Sequence, residues 1–339
     1  MQNYGTLDNH YNIIRFLGRG TNSKVYLVTN INDNNQYAAK IEKEQNHFGI
    51  KFEKFFKNEL QMATMASGLN NPNIINLKRH GVGTLNNHGK ITNNVHYWIL
   101  EYCPNGDLEM YSRLGRFTER QAKYIFKKIL LGVQALHDAG YCHRDLKLNH
   151  ILLDQNFSPK ITGFLFTTLF KQNNQPIELR EFLGALRNLS PQIHLHRPYN
   201  GEKADIFNLG QILINLVTSR DGFYTSVPND DCYKFIVKKN FVSYWNHWDN
   251  FSKDNNKHYS EDFKDLYISM ISFKENDRPT IVQILNHHWF DEINNLDAQQ
   301  LNELELDVRN EFLTRRKEVI QFNELLILAH NNDDDRDNR

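Results

Sequence analysis

The chain has 339 residues, enough for one large domain or two small ones, and 40% of them are hydrophobic, which is sufficient for a packed core. Lysine and arginine (40) balance aspartate and glutamate (40), so the formal net charge of zero argues against nucleic acid or a membrane surface as a general partner. Cys103, Cys142 and Cys232 form no CxxC pair, which favours reduced thiols in a cytoplasmic compartment over disulfides or a zinc site.

The N-terminal segment, residues 1–10, carries no basic stretch followed by an apolar run, so we expect no secretion signal. No later stretch stays apolar over the roughly 18 residues that a membrane-spanning helix needs, so we expect none. Residues 11–41 alternate apolar and polar side chains, which predicts three short strands joined by turns. Residues 48–66 have helical spacing, and residues 70–83 and 95–103 return to strand character.

From Thr118 onward the sequence becomes helical. Residues 119–140 form a strongly amphipathic pattern, whereas residues 204–219 are apolar nearly all round, which predicts a buried helix. We therefore predict an α+β fold with two lobes. A small antiparallel sheet with one helix occupies residues 11–101, and a larger, mainly helical lobe occupies residues 106–290.

Residues 291–339 are predicted to form a helical C-terminal extension with an acidic tail. Its apolar side chains recur at helical spacing and are interrupted at Arg315. They are Leu301, Leu304, Val308, Phe312, Val319, Phe322 and Leu326. Two alternatives stay open for this stripe: it packs on its own lobe, or residues 296–330 dock a protein partner.

Several short motifs stand in a characteristic order along the chain. They are GRGTNSKV (18–25), AAK (38–40), HRDLK (143–147), ADIFNLG (204–210) and NDRPT (276–280). In this order they resemble the eukaryotic protein kinase family, of the Ser/Thr type, over residues 11–290. The resemblance implies the bilobal protein kinase fold, with ATP in the cleft between the lobes.

The resemblance assigns a nucleotide-binding role to residues on both sides of this cleft. Gly18 and Gly20 belong to a glycine-rich loop in which Ser23 replaces a third glycine. Lys40 grips phosphates and pairs with Glu59, or with Glu53 on the same helix. The positions implied around the adenine are Val25, Ala38, Leu152, the gatekeeper Leu100, and the hinge residues Glu101 and Cys103. Asp107 either contacts the ribose or caps a helix.

The resemblance also assigns catalytic and framework residues. Asp145 accepts the substrate proton and Lys147 steadies the transferred phosphate. The framework positions are His143, Arg144, Phe164, Asp205 and Arg278. Asp205 is expected to brace the catalytic loop, and Arg278 to find only a neutral hydrogen bond from Gln192. In place of a phosphorylated residue, Glu178 or Glu181 is expected to pair with Arg144.

Both positions that hold magnesium in the family are altered. His150 stands in the catalytic-loop asparagine position, and Gly163 replaces the aspartate of the DFG motif. Magnesium prefers oxygen ligands, whereas imidazole suits zinc or copper. Gly184-Ala185 also lacks the hydroxyl of the family's Gly-Thr. We therefore predict no magnesium site and no required cofactor, with ATP binding left open.

These substitutions predict a pseudokinase that acts as a scaffold or allosteric partner of other proteins. The alternative is a Ser/Thr kinase with residual or unorthodox activity, because Lys40, Asp145 and Lys147 are retained. A third hypothesis is a switch that senses nucleotide without magnesium. A place in an assembly such as the cytoskeleton is a further hypothesis that no residue supports.

Overall fold

A computed structural model describes residues 5–20, 23–42, 50–87, 89–173, 175–251 and 259–337; the side chains of residues 50–56, 87, 249–251 and 322–337 are outside this description. The strands are β1 (Thr6–Leu7), β2 (Tyr11–Arg19), β3 (Ser23–Asn30), β4 (Gln36–Glu42), β5 (Leu77–Asn87), β6 (Lys90–Glu101), β7 (Tyr141–Cys142), β8 (Ile151–Leu153), β9 (Pro159–Ile161), β10 (Thr168–Leu169), β11 (Lys171–Gln172), β12 (Gln175–Pro176), β13 (Glu178–Leu179) and β14 (Tyr199–Asn200).

The helices divide unevenly between the lobes, with only the first in the strand-rich part. They are α1 (Ile50–Gly68), α2 (Leu108–Arg113), α3 (Glu119–Asp138), α4 (Pro191–His194), α5 (Gly201–Thr218), α6 (Tyr233–Val237), α7 (Phe241–Phe251), α8 (Glu261–Met270), α9 (Ile281–Leu285), α10 (Asp291–Asn294) and α11 (Ala298–Asp337). None of the helices, over the residues that the structure covers, is both long enough and apolar enough to cross a bilayer. The predicted α+β, two-lobed architecture is confirmed.

The N-terminal lobe is a closed antiparallel barrel with the strand order β1-β2-β3-β4-β6-β5. The three strands predicted over residues 11–41 are β2, β3 and β4. The barrel closes because β1 pairs with both β2 and β5, so the lobe also uses residues of the N-terminal segment 1–10. Leu7 is fully buried, and the hydroxyl of Tyr97 donates to Asp8 Oδ2 over 2.7 Å. Closure covers edges that would otherwise pair with other chains.

Helix α1 links the barrel to the second lobe. Asn58 Nδ2 on this helix donates to the carbonyl oxygen of Leu165, at 3.1 Å, and lies 3.4 Å from that of Thr167. These two carbonyls belong to the chain that follows Gly163. The position of α1 is therefore coupled to the conformation of this segment.

The C-terminal lobe is built around α3 and α5. Thr118 and Gln121 form a capping box that fixes the start of α3. Most side chains of α5 are buried, as its apolar character all round predicts. The largest hydrophobic core of the protein lies here, so this lobe provides a rigid base for the loops at the cleft.

Helix α11 packs against its own lobe. Leu304, Val308, Phe312 and Val319 are buried, which bears out the first of the two alternatives for the described side chains. These buried members of the stripe are not free to bind a partner, whereas Leu301 at its start is 41% exposed, and docking of a partner by residues 296–330 stays a prediction. Phe322 and Leu326 lie outside the described side chains.

Arg315 explains why the apolar stripe is interrupted. Its Nη1 donates to the carbonyl oxygens of Tyr111 and Gly115, at 2.9 and 2.7 Å, and its Nη2 donates to that of Arg116, at 2.8 Å. The guanidinium also lies 4.2 Å from the ring centroid of Phe117. A charged side chain occupies this buried position because it satisfies backbone carbonyls at the end of α2.

Candidate functional site: the cleft between the lobes

In the N-terminal lobe, a lysine of β4 and a glutamate of α1 lie side by side. Lys40 on β4 forms an ion pair with Glu59 on α1, and its Nζ lies 4.5 Å from the ring centroid of Trp98 on β6. Of the two predicted partners, Glu59 is the one in contact; the side chain of Glu53 lies outside the described residues. The ammonium is thus oriented by a carboxylate and by an aromatic face.

The predicted glycine-rich loop covers the end of β2 and the start of β3. Gly18 pairs with Val25 across the two strands, and the Gly20 amide donates to the carbonyl oxygen of Ser23, at 2.9 Å. A Cβ on Gly18 would have no atom within 4 Å, so a side chain at this position would meet open space. Residues 21 and 22 lie outside the described residues.

The residues predicted around the adenine lie on β3, β4 and β8 and at and just after the end of β6. Ala38 pairs with Leu100, and Leu152 forms a bridge with Asp107. The side chain of Glu101 accepts from the amide of Asn76 at 2.8 Å and lies 3.2 Å from Lys160 Nζ.

Burial raises the pKa of Cys103, the second predicted hinge residue, to about 12, so its thiol stays protonated at neutral pH. Asp107, the next acidic residue along the chain, caps α2. Its Oδ1 accepts from the Met110 amide at 3.2 Å. Burial raises the pKa of this carboxyl to about 6. The capping alternative is therefore observed in the geometry, while a ribose contact stays a prediction.

The catalytic loop is held by Asp205, which is fully buried on α5. Its carboxylate accepts from the backbone amides of His143 and Arg144, each at 2.7 Å, and lies 2.9 Å from His137 Nε2. Arg144 has a φ of 65°, a conformation that is costly for a residue with a side chain. The two charge-assisted bonds to Asp205 hold the loop in this conformation.

Arg144 reaches from this loop to the segment that follows Gly163. Its Nε donates to the carbonyl oxygen of Phe166 at 2.6 Å, and its Nη1 lies 3.2 Å from Glu181 Oε2. The expected carboxylate partner is therefore Glu181, whereas Glu178 pairs with Arg180. A glutamate thus occupies the place that the resemblance gives to a phosphate.

Both carboxylate oxygens of Asp145 have a partner within the protein. Lys147 Nζ lies 2.9 Å from Oδ2, and the backbone amide of Ala185 donates to Oδ1 at 3.0 Å. His150 Nδ1 lies 2.9 Å from the Asp145 carbonyl oxygen and 3.5 Å from Oδ2. Because a carbonyl only accepts, Nδ1 carries the proton of the neutral ring. Burial, followed by the charge of Lys147, lowers the pKa of His150 far below its usual range, so the ring is neutral at pH 7.

The imidazole of His150 fills the space above Gly163. A Cβ built on Gly163 would lie 2.6 Å from Nδ1 and 2.7 Å from Cε1 of the ring. Gly163 also has a φ of 85°. The fully buried His143 ring lies 6.0 Å from the His150 ring and 5.5 Å from that of Phe164. An acidic side chain at 163 is therefore incompatible with the present position of His150.

The donor groups in this part of the cleft do not fit magnesium. Asp145 is the only carboxylate near both altered positions among the contacts described above, and it is already paired with an ammonium group. The other candidate ligand is a neutral imidazole, which magnesium disfavours. Across the described residues, no three or more His, Cys, Asp or Glu side chains are grouped to hold a metal.

Arg278 is buried beneath the segment that precedes α5, with 2% of its surface exposed. Its Nη2 donates to Gln192 Oε1 at 2.8 Å, which is the predicted neutral hydrogen bond. Nε and Nη1 donate to the carbonyl oxygens of Ser272 and Lys203, at 2.8 and 2.9 Å. Burial lowers the pKa of the guanidinium to about 10, and it is still charged at neutral pH.

Comparison with known proteins identifies the family. A model of the protein kinase domain matches residues 11–290. The chain belongs to the protein kinase family. It is 30% identical to a probable serine/threonine-protein kinase, MARK-B, of Dictyostelium discoideum, over 86% of this chain and 37% of that protein. It is also 30% identical to NUAK family SNF1-like kinase 1 of Homo sapiens, over 84% and 39% respectively.

A third relative of this protein kinase domain comes from a plant. CBL-interacting protein kinase 26 of Oryza sativa subsp. japonica is 27% identical over 86% of this chain and 54% of its own length. The chain spans between about a third and just over half the length of these relatives. The activities and partners of the whole relatives therefore do not transfer directly to it.

Three residues of the kinase cleft were missed by the sequence analysis. Trp98 faces Lys40 across paired strands, which the alternation of β6 could have indicated once Lys40 was assigned. His137 meets Asp205, and Lys160 meets Glu101, across separate elements. No local pattern signals these last two contacts.

Proposed function

We propose that this protein kinase domain acts as a pseudokinase, which serves as a scaffold or allosteric partner and does not transfer phosphate efficiently. The observation that carries the proposal is the contact of His150 with Gly163. Where the family places two oxygen ligands for magnesium, this cleft has a neutral ring packed on a glycine.

The electrostatic balance of the cleft supports the proposal. The ion pairs of Lys40 with Glu59 and of Lys147 with Asp145 are in place, but His150 and Gly163 offer no side-chain oxygen that could hold a metal ion beside a phosphate. Phosphoryl transfer depends on positioning and on neutralising the phosphate charge, largely by metal ions. Removing one preorganised electrostatic group typically costs about 10²–10³ in rate, and the losses of groups that act as a unit do not simply add.

The retained framework supports a scaffold in particular. The brace of Asp205 on the catalytic loop and the buried hydrogen bonds of Arg278 are complete. The pairing of Arg144 with Glu181 ties down the segment after Gly163 without a phosphate. The changes thus include both metal positions, while the contacts of Asp205 and Arg144 that define the shape persist.

The alternative is a Ser/Thr protein kinase with residual or unorthodox activity. It is favoured by the ion pair of Lys40 with Glu59 and by the presence of Asp145 and Lys147 at the cleft. The printed names of the relatives are those of kinases. A residual enzyme would need its charge neutralised by groups other than His150 and Gly163.

A phosphotransfer assay separates these proposals. Purified protein is incubated with labelled ATP, Mg²⁺ and myelin basic protein, with Asp145→Asn as the matched control. The pseudokinase proposal expects the wild type and the variant to give the same background signal. Turnover that Asp145→Asn abolishes would favour the enzyme instead.

A thermal-shift series then addresses nucleotide binding. An equal shift with ATP in Mg²⁺ and in EDTA would indicate a nucleotide sensor that does not need the metal, whereas a larger shift with Mg²⁺ would contradict the loss of the metal site.

A further inference from the structure

Helix α11 carries a second apolar stripe that does not face the lobe. Leu306, Leu313 and Ile320 are seven residues apart and keep 55%, 42% and 45% of their surface exposed. At 3.6 residues per turn, this stripe lies about 140° round the helix from the buried one. It runs for about 21 Å along the helix axis at 1.5 Å per residue.

Basic side chains border the exposed stripe on both sides. Arg309 and Arg316 follow one edge and Lys317 the other. Arg309 and Lys317 are exposed and Arg316 is partly so, and none of them makes an ion pair with another described residue. By contrast, Arg315, which faces the lobe, is paired with Glu311. The outer face of α11 is therefore an apolar ridge whose basic borders form no ion pair with the residues that the structure describes.

We propose that this outer face binds an amphipathic helix of a partner protein whose apolar ridge is bordered by carboxylates. A spacing of seven residues is that of one helix packed along another. Carboxylates on the partner would neutralise the cations at the edges of the stripe and set its orientation. The partner class fits the proposed scaffold role, but the surface includes neither of the metal positions, and its binding does not depend on them.

Two other occupants fit less well. In a second copy of this chain packed antiparallel about Leu313, Arg309 of one helix would approach Arg316 and Lys317 of the other, and like charges oppose this. A membrane surface is usually bound through clusters of about 4–8 basic residues or a broader apolar face. The narrow stripe with its few cations therefore suits a single helix.

The test uses a fluorescein-labelled peptide of about four heptads with Leu at the core positions and Glu at the flanking positions. Fluorescence anisotropy measures its binding to the full chain. We expect saturable binding that weakens with salt, and at least about tenfold weaker binding of a matched peptide with Lys in place of Glu. No binding, or equal binding of the two peptides, overturns the proposal.

Matched variants locate the binding surface. Leu313→Ser and the pair Arg316→Glu with Lys317→Glu should each weaken binding at least about tenfold. Leu301→Ser is the apolar control, because Leu301 is 41% exposed on the same helix but lies off the stripe. Lys238→Glu, at an exposed lysine after α6, is the charge control. Equal losses in the controls overturn the assignment.

Two further measurements test the other occupants directly. Sedimentation velocity would reveal a dimer that Leu313→Ser abolishes, and flotation with vesicles of phosphatidylcholine and phosphatidylserine would reveal membrane binding. Either result, without binding of the acidic peptide, overturns the proposal. No assay here contains nucleotide, so failure leaves the proposal on the kinase cleft unaffected.

Discussion

His150 and Gly163 fit together as a pair, since a Cβ at position 163 would lie 2.6 Å from Nδ1 of the imidazole. Gly163→Asp alone should therefore lower the free energy of unfolding by about 1–3 kcal/mol, because the ring or the loop must move. In a His150→Asn background the same change should cost at least about 1 kcal/mol less. Urea unfolding of the wild type, both single variants and the double variant measures this coupling.

Additive effects of the two substitutions would contradict the pairing. The double variant also allows a gain-of-binding measurement, because it restores both oxygen ligands that the family uses for magnesium. We expect its ATP-induced thermal shift to become larger with Mg²⁺ than with EDTA, whereas that of the wild type stays the same in both. The unliganded unfolding data provide the control for a loss of fold.

Arg144 and Glu181 provide a second prediction. Glu181 is 57% exposed, so Glu181→Gln should change the global free energy of unfolding by less than about 1 kcal/mol. Locally, the segment between Gly163 and α4 should lose amide protection, because Arg144 no longer holds it with a charged partner. Hydrogen exchange followed by mass spectrometry measures this. Glu178→Gln is the matched control, since Glu178 pairs only with exposed Arg180; equal deprotection in both would refute the role of Glu181.

The sequence predicted where the helices and strands lie better than it predicted which elements pack against one another. Alternation identified β2, β3 and β4, and helical spacing identified α3 and α5, because each pattern reflects a local period. Two-residue β1 was missed, since two residues carry no period. The amphipathic pattern of α11 predicted an apolar face but not the surface that covers it.

For the candidate site, likewise, the sequence predicted which residues matter but not all of their contacts. The positions of His150 and Gly163 followed from their spacing after HRDLK. Their contact did not, because it joins two loops whose distance is set by the tertiary fold. The hydrogen bond of Arg278 with Gln192 was expected from the missing carboxylate, whereas the additional bonds to backbone carbonyls were not.

Arg315 yields a third prediction. Arg315→Ala should lower the free energy of unfolding by about 2–4 kcal/mol, because three carbonyl groups at one buried and two partly buried contacts lose a charged donor. Arg315→Lys should recover little of this loss, since a single ammonium cannot span the carbonyls of Tyr111, Gly115 and Arg116. Arg309→Ala, on the exposed side of the same helix, should change stability by less than about 0.5 kcal/mol. Full recovery by lysine would show that charge alone suffices.

Asp107 yields a prediction about pH. Burial raises the pKa of this carboxyl from 3.8 to about 6, so between these values the folded state binds a proton that the unfolded state has released. The unfolded state then binds fewer protons, and this group makes the protein less stable as the pH rises from about 4 to 6.

Asp107→Asn keeps a good N-cap for α2 but cannot ionise. It should therefore be more stable than the wild type at pH 7.5, by an amount on the order of 1 kcal/mol, and lose this advantage near pH 4. Urea unfolding at both pH values measures the difference.

Asp107→Ala removes the cap and should be about 1 kcal/mol less stable than Asp107→Asn at either pH. An advantage of the asparagine variant that is unchanged by pH, or that grows toward pH 4, would contradict the buried, proton-binding character of this carboxyl.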